Sequence, residues 1–265
     1  MATRNPLLNP VLQRYGGPAP ADRVTAGAAD TAHEPVVVPE GERLRLDDVV
    51  VKSAILLATL VAGALLGWAL VPVLGMWLWI AALIGMVLGF VNVLRSRVSP
   101  ALMLVYGIVQ GVFLGGISRT FQAAFGGEGV GLVANAVIGT VAAFVVVLVL
   151  YRLNVLRATN TFVKVITIAG FAYLGLALVS LVSGLFGVGG GWGFYGVGPF
   201  GILLAAAGVA LASLFLVLDF NQIETGIRAG LPERESWRLA FGLTLTLVWL
   251  YIEMLRLFSL LSSNE

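Results

Sequence analysis

The sequence has no cysteine, a single histidine, and only 11% charged residues. Without cysteine there are no disulfides, no thiolate metal sites and no c-type haem attachment. The single histidine, His33, lies in a polar N-terminal stretch. A histidine-based catalytic or zinc centre in the apolar part of the chain is therefore excluded. A soluble domain carries roughly a quarter of its residues charged. Here 59% of 265 residues are hydrophobic and the mean hydropathy is +0.97. Much of the surface must face something other than water, which predicts a polytopic membrane protein. The net charge of +2 comes from short basic groups between apolar runs. No soluble basic face for nucleic acid follows from it.

Residues 1–50 are rich in Pro, Ala, Gly and charge, as in PAPADRVTAGAADTAHEP. This composition predicts a disordered cytoplasmic tail. It is not a cleaved signal peptide, because no apolar core follows the basic start until residue 51. From there the apolar runs predict an all-α domain over 51–265, with spans at 51–73, 75–95, 100–121, 130–152, 161–186, 199–227 and 234–262. Each meets the roughly 20 residues that a bilayer core requires. Pro72 and Gly75 punctuate the shortest break, VPVLG. Basic residues then alternate with neutral loops. Arg43, Arg45 and Lys52 precede the first span, and Arg95 and Arg97 follow the second. Arg152, Arg157 and Lys164 follow the fourth, and Arg228, Arg234 and Arg238 follow the sixth. The loops at 74, 122–129 and 187–198 contain no Lys or Arg. The positive-inside rule places the N-terminus in the cytoplasm and the C-terminus outside. A miscount by one span would break this alternation.

Small residues at four-residue spacing mark helix contacts: Gly63 and Gly67, Gly85 and Gly89, and Gly107, Gly111 and Gly115. The G-x-G-x-x-G match GWGFYG, Gly191 to Gly196, lies in an outer loop between spans and not between a strand and a helix. It does not predict a nucleotide site. Trp192 and Tyr195 fit an interfacial anchor better.

Ionisable groups at membrane depth cost roughly 2.5–3.5 kcal/mol on insertion scales, so they usually face protein or a water-filled cavity. Asp219, in LASLFLVLDFNQIETG, lies roughly 12–15 Å from the inner end of its span. It is either a carboxylate wetted by the cytoplasm or half of a buried site, and Gln222 shares its face. Glu253, in TLVWLYIEMLRLFSLL, has apolar residues on both sides. It either pairs with Arg256 on its own helix surface or belongs to a site. Arg95, with Asn92 one turn deeper, is either a topology marker or a group that reaches inward. Gln110 lies near mid-membrane in the third span and serves either a helix–helix hydrogen bond or a polar path. Arg119 reads as a snorkelling interface residue.

The last two spans, LDFNQIE (218–224) and WLYIEMLRLFSLLS (249–262), resemble the Bax inhibitor-1 family, also called the transmembrane BAX inhibitor motif family. The segment QGVFLGGIS (110–118) fits as well. The resemblance covers about residues 50–265, and the Ala-rich, Arg-rich style is that of a bacterial member. It implies seven transmembrane helices with a central C-terminal helix, in the bacterial inner membrane. It implies a pH-sensitive cation leak, chiefly of calcium, with Asp219 and Glu253 as the carboxylate pair and Arg95 as their arginine. Glu253 stands where Asp is usual, and Leu218 where Tyr is frequent. The stretch from 219 to 253 is also long for the family. A hairpin apex near 236 puts the two carboxylates at one depth; an apex near Pro232 puts Glu253 about 12 Å deeper.

Two carboxylates within hydrogen-bonding reach share a proton and titrate as a unit. Such a latch would hold the sixth and seventh helices in one protonation state and release them in another. Its oxygens suit weak, transient calcium binding. Asn92, Gln110, Gln222 and Arg256 would support or line the path. No cofactor is expected, the partners are the bilayer, calcium ions and protons, and no enzyme chemistry is apparent. Two alternatives stay open: a non-transporting membrane regulator of a protease or other complex, and a proton-coupled small-solute transporter.

Overall fold

The computed structural model describes residues 43–75, 77–95, 97–126, 131–187, 193 and 198–263. The stretch up to residue 42, most of GWGFYG, and Trp192 and Tyr195 lie outside the described residues. Among those described, seven helices are long and apolar enough to cross a membrane. They are α1 (Leu46–Leu74), α2 (Trp77–Leu94), α3 (Pro100–Phe125), α4 (Gly131–Arg152), α5 (Asn160–Leu185), α6 (Pro199–Arg228) and α7 (Ser236–Ser262). The fold is all-α, and the chain is a multi-pass membrane protein.

Local sequence explains the breaks. Gly75 adopts φ 45°, a conformation costly for other residues, and so ends α1 one residue before the short link to α2. Pro100 and Pro199 occupy first-turn positions, where a missing N–H costs nothing. Thr159 caps α5 by accepting from the Phe162 amide. Helix α1 begins at Leu46, inside the stretch assigned to the tail. Leu44 is buried, and its amide donates to the Leu231 carbonyl at 2.7 Å.

Helix α7 is the central element. It packs against α1, α3, α4 and α6 and buries Leu250, Leu255 and Thr244 almost completely. The most extensive pairing is between α1 and α3, and it runs along the predicted glycines. A Cβ on Gly67 would run into the Val112 carbonyl, and one on Gly115 into that of Ala64. In lipid, such backbone approach supplies much of the association energy. Gly85 and Gly89 do the same work for side chains, admitting Gln110 and Tyr106 of α3 against α2.

The hairpin between α6 and α7 positions the candidate site. Helix α6 ends at Arg228. Gly230 turns the chain at φ 64°, and the Leu231 amide returns to the Gly226 carbonyl at 3.2 Å. A 3-10 turn over Glu233–Glu235 then opens α7. Lys52 of α1 clamps this hairpin, reaching Glu233 at 2.7 Å and the Ser236 hydroxyl at 2.6 Å. The apex therefore lies at Gly230–Leu231, on the early side of the two registers that the sequence allows.

Candidate functional site

The α6–α7 interface carries both carboxylates, at different depths. Asp219 faces the backbone of Gly242, 3.8 Å from where a Cβ there would lie. Gly208 faces Glu253, whose carboxyl carbon lies 2.6 Å from where a Gly208 Cβ would be. Both intervals, 208–219 and 242–253, span about three helical turns, or roughly 16 Å at 1.5 Å per residue. Both facing pairs are centred on the same apex at Gly230–Leu231. The expected direct pair between Asp219 and Glu253 is thus not formed. The early apex displaces Glu253 toward the opposite half of the membrane. A calcium site made of both carboxylates fails for the same reason. Among the described residues, no group of three or more His, Cys, Asp or Glu is placed to hold a metal.

Glu253 sits in a built polar cluster. It is 5% exposed. Arg256 reaches its Oε2 at 3.0 Å, the pair expected from their i,i+3 spacing. The pair is not a surface one, since the Arg256 side chain is only 14% exposed. Tyr173 of α5 donates its hydroxyl proton to Glu253 Oε1 at 2.9 Å, and the Trp249 indole donates to the same oxygen at 3.2 Å. Arg256 also donates to the Tyr173 oxygen at 3.1 Å. The Tyr173 hydroxyl lies 3.2 Å from the Leu204 carbonyl of α6. Three helices are tied at one point, and only a glycine at 208 leaves room for it. Sequence reasoning missed Tyr173, Trp249 and Gly208. Trp249 stands one turn before Glu253, the only signal that the sequence offers.

Asp219 differs in its lack of a paired cation; an oxygen enclosed without a hydrogen bond is common to both carboxylates. Its Oδ2 is buried without a hydrogen-bond partner. Thr246 of α7 is a polar neighbour of the carboxylate, but its hydroxyl donates to the Gly242 carbonyl at 3.3 Å. No Lys or Arg forms an ion pair with it among the described residues. Phe215, one turn earlier on α6, packs edge-on against Trp249 at 5.4 Å between ring centres, and so separates Asp219 from the Glu253 cluster with aromatic surface.

The remaining candidates are placed plainly. Arg95 is exposed just beyond α2 and contacts neither carboxylate; Arg97 is exposed beside it. The assignment of Arg95 to the carboxylates is not met: α2 packs chiefly on α3 and meets α7 near Leu245, while Arg95 lies exposed beyond its end with no ion pair among the described residues. Asn92 donates to the Leu88 carbonyl at 2.9 Å and to that of Leu102 at 3.4 Å, tying α2 to α3. Gln110 is buried against Gly85. Gln222 is half-buried on α6. Arg119 donates to the Trp68 carbonyl at 2.6 Å, which makes it a tie between α3 and α1.

Six spans around a central seventh, with an enclosed carboxyl oxygen on each of the last two, define a polytopic helical membrane protein with ionisable groups at membrane depth. A family model described as Bax inhibitor 1 like matches residues 9–263, and the chain belongs to that family. No curated protein matches the sequence.

Proposed function

We propose that the chain is a proton-sensitive cation leak, chiefly for calcium, in a bacterial cytoplasmic membrane, with its N-terminus inside. The observation that carries this reading is Asp219, half-buried between α6 and α7, with its Oδ2 enclosed and unpartnered and no cation paired to it among the described residues. An unpaired carboxyl at membrane depth is costly and marks ion or proton pathways. It is satisfied in two ways: by a proton on the oxygen, or by a hard cation in contact with it. Exchange between the two couples cation occupancy to pH. A single carboxylate is too poor a ligand set to hold calcium tightly, and weak binding suits passage.

Glu253 has another task in this account. Its charge is answered in place: Arg256 pairs with Oε2, which accepts no hydrogen bond, and the phenol and indole donate to Oε1. It fastens α5, α6 and α7 in the other half of the membrane. The gate is therefore one titrating station at Asp219 and one fixed fastening at Glu253, not a shared-proton pair. The test is calcium flux from purified protein in vesicles across pH. Flux that depends on pH in the wild type and loses that dependence in Asp219→Asn supports the reading. Absence of flux at every pH rejects the leak and leaves a regulator that does not itself transport.

A further inference from the structure

A groove with a cavity volume of about 1340 Å³ runs along the bundle on the side away from the Glu253 cluster. Helices α1 and α4 form its walls, and Leu243, Leu247 and Tyr251 of α7 form its floor. It extends from Leu46 to Trp68 along α1, roughly 33 Å at 1.5 Å per residue. That is about the thickness of the hydrocarbon core. Apolar side chains dominate the walls, yet the end that carries the basic loops is different. Arg152 and Arg157 line the mouth and form no ion pair among the described residues. Glu224, the carboxylate at the same mouth, is engaged by the Tyr151 hydroxyl at 2.6 Å and by Arg228 at 3.5 Å. Just inside, Ser53 is 7% exposed, lines the groove, and has no hydrogen-bond partner for its hydroxyl.

We infer that this groove is a binding site for an anionic phospholipid of the leaflet on the basic side. An acyl chain lies between α1 and α4 over the α7 floor. The phosphate meets Arg152 and Arg157, and the ester region reaches Ser53. Three features at successive depths match the three parts of one lipid: free cationic charge at the mouth, an unsatisfied hydroxyl below it, and an apolar trough beneath. A neutral lipid would leave the arginines unanswered, and a soluble anion would leave the trough empty. Because the floor is α7, the occupant touches the helix that also carries Glu253 and faces Asp219.

The experiment uses the full chain in phosphatidylcholine vesicles containing a minority of phosphatidylglycerol. A photoreactive phenylalanine analogue replaces Val141 in the groove, or Phe171 on the lipid face of α5; both are exposed and at matching distance from the basic ends of their helices. Adducts are resolved by mass. Phosphatidylglycerol should be enriched over the bulk composition at position 141, by roughly fivefold for each arginine contact. At position 171 the adducts should follow the bulk composition. Arg152→Gln with Arg157→Gln should remove the enrichment at 141 and leave 171 unchanged. Ala54→Phe, which fills the trough with both arginines intact, should lower the phosphatidylglycerol that co-purifies with the protein. Bulk composition at 141 in the wild type would overturn the inference. So would cross-links from 141 to the chain's own N-terminal residues, or to a second copy, in place of lipid.

Discussion

Removing Arg256 gives the sharpest energetic test of the Glu253 cluster. In Arg256→Met the carboxylate keeps Tyr173 and Trp249 but loses its only ion-paired cation among the described residues. The site is buried on both partners, so water is not at hand to replace the guanidinium. Breaking a buried pair by removing one partner costs about 3–5 kcal/mol, whereas an exposed pair contributes about 0–1 kcal/mol. Hydrogen bonds measured between membrane helices average only about 0.6 kcal/mol, because the dissociated helices find other partners. Together these give a loss of about 3 kcal/mol for Arg256→Met. The double variant Glu253→Gln with Arg256→Met removes the stranded charge and should regain more than half of that loss. Reversible unfolding in mixed micelles, followed for the wild type, both single variants and the double variant, measures the coupling. A loss below about 1 kcal/mol for Arg256→Met, with no recovery in the double variant, would refute the buried-pair argument.

Other perturbations follow from the packing. Gly115→Val drives a side chain into the Ala64 carbonyl and should cost at least about 1–3 kcal/mol of overpacking strain, seen as a lower thermal midpoint in detergent. Tyr173→Phe removes the phenol that joins Glu253, Arg256 and Leu204 and should cost about 1 kcal/mol in the same assay. Lys52→Met releases the hairpin clamp on Glu233 and Ser236. Hydrogen exchange should then speed up at residues 230–236 while the centre of α7 keeps its protection. Arg95→Gln should leave the pH profile of calcium flux unchanged, because Arg95 lies exposed and apart from both carboxylates.

The spans were legible in the sequence because lipid demands long apolar runs and basic loops alternate with neutral ones. The α1–α3 contact was legible for a related reason: Gly63, Gly67, Gly111 and Gly115 share a four-residue period that only close helix approach explains. The register of the last hairpin was not. The stretch LPERESW mixes a buried leucine, a proline and charges, so composition alone permits an apex at either end of it. The tertiary contacts decide it: Leu44 holds the Leu231 carbonyl, and Lys52 holds Glu233 and Ser236. Leu44 lies in a stretch too polar and Pro-rich to announce structure. Once the apex moved to Gly230–Leu231, the expected pair separated. Of the partners that Glu253 finds instead, Arg256 and Trp249 lie on its own helix at legible spacing, while Tyr173 comes from α5, far away in the chain and visible to no local pattern. Asp219 keeps one enclosed oxygen and lacks its expected partner, and that combination sets the proposed mechanism.

The most direct test of the two-station account is the pH dependence of calcium flux in vesicles for the wild type, Asp219→Asn and Glu253→Gln. The account predicts that Asp219→Asn flattens the profile. It predicts that Glu253→Gln, at a temperature where the protein remains folded, retains it. A wild-type profile in Asp219→Asn, or a profile flattened by Glu253→Gln alone, would contradict it.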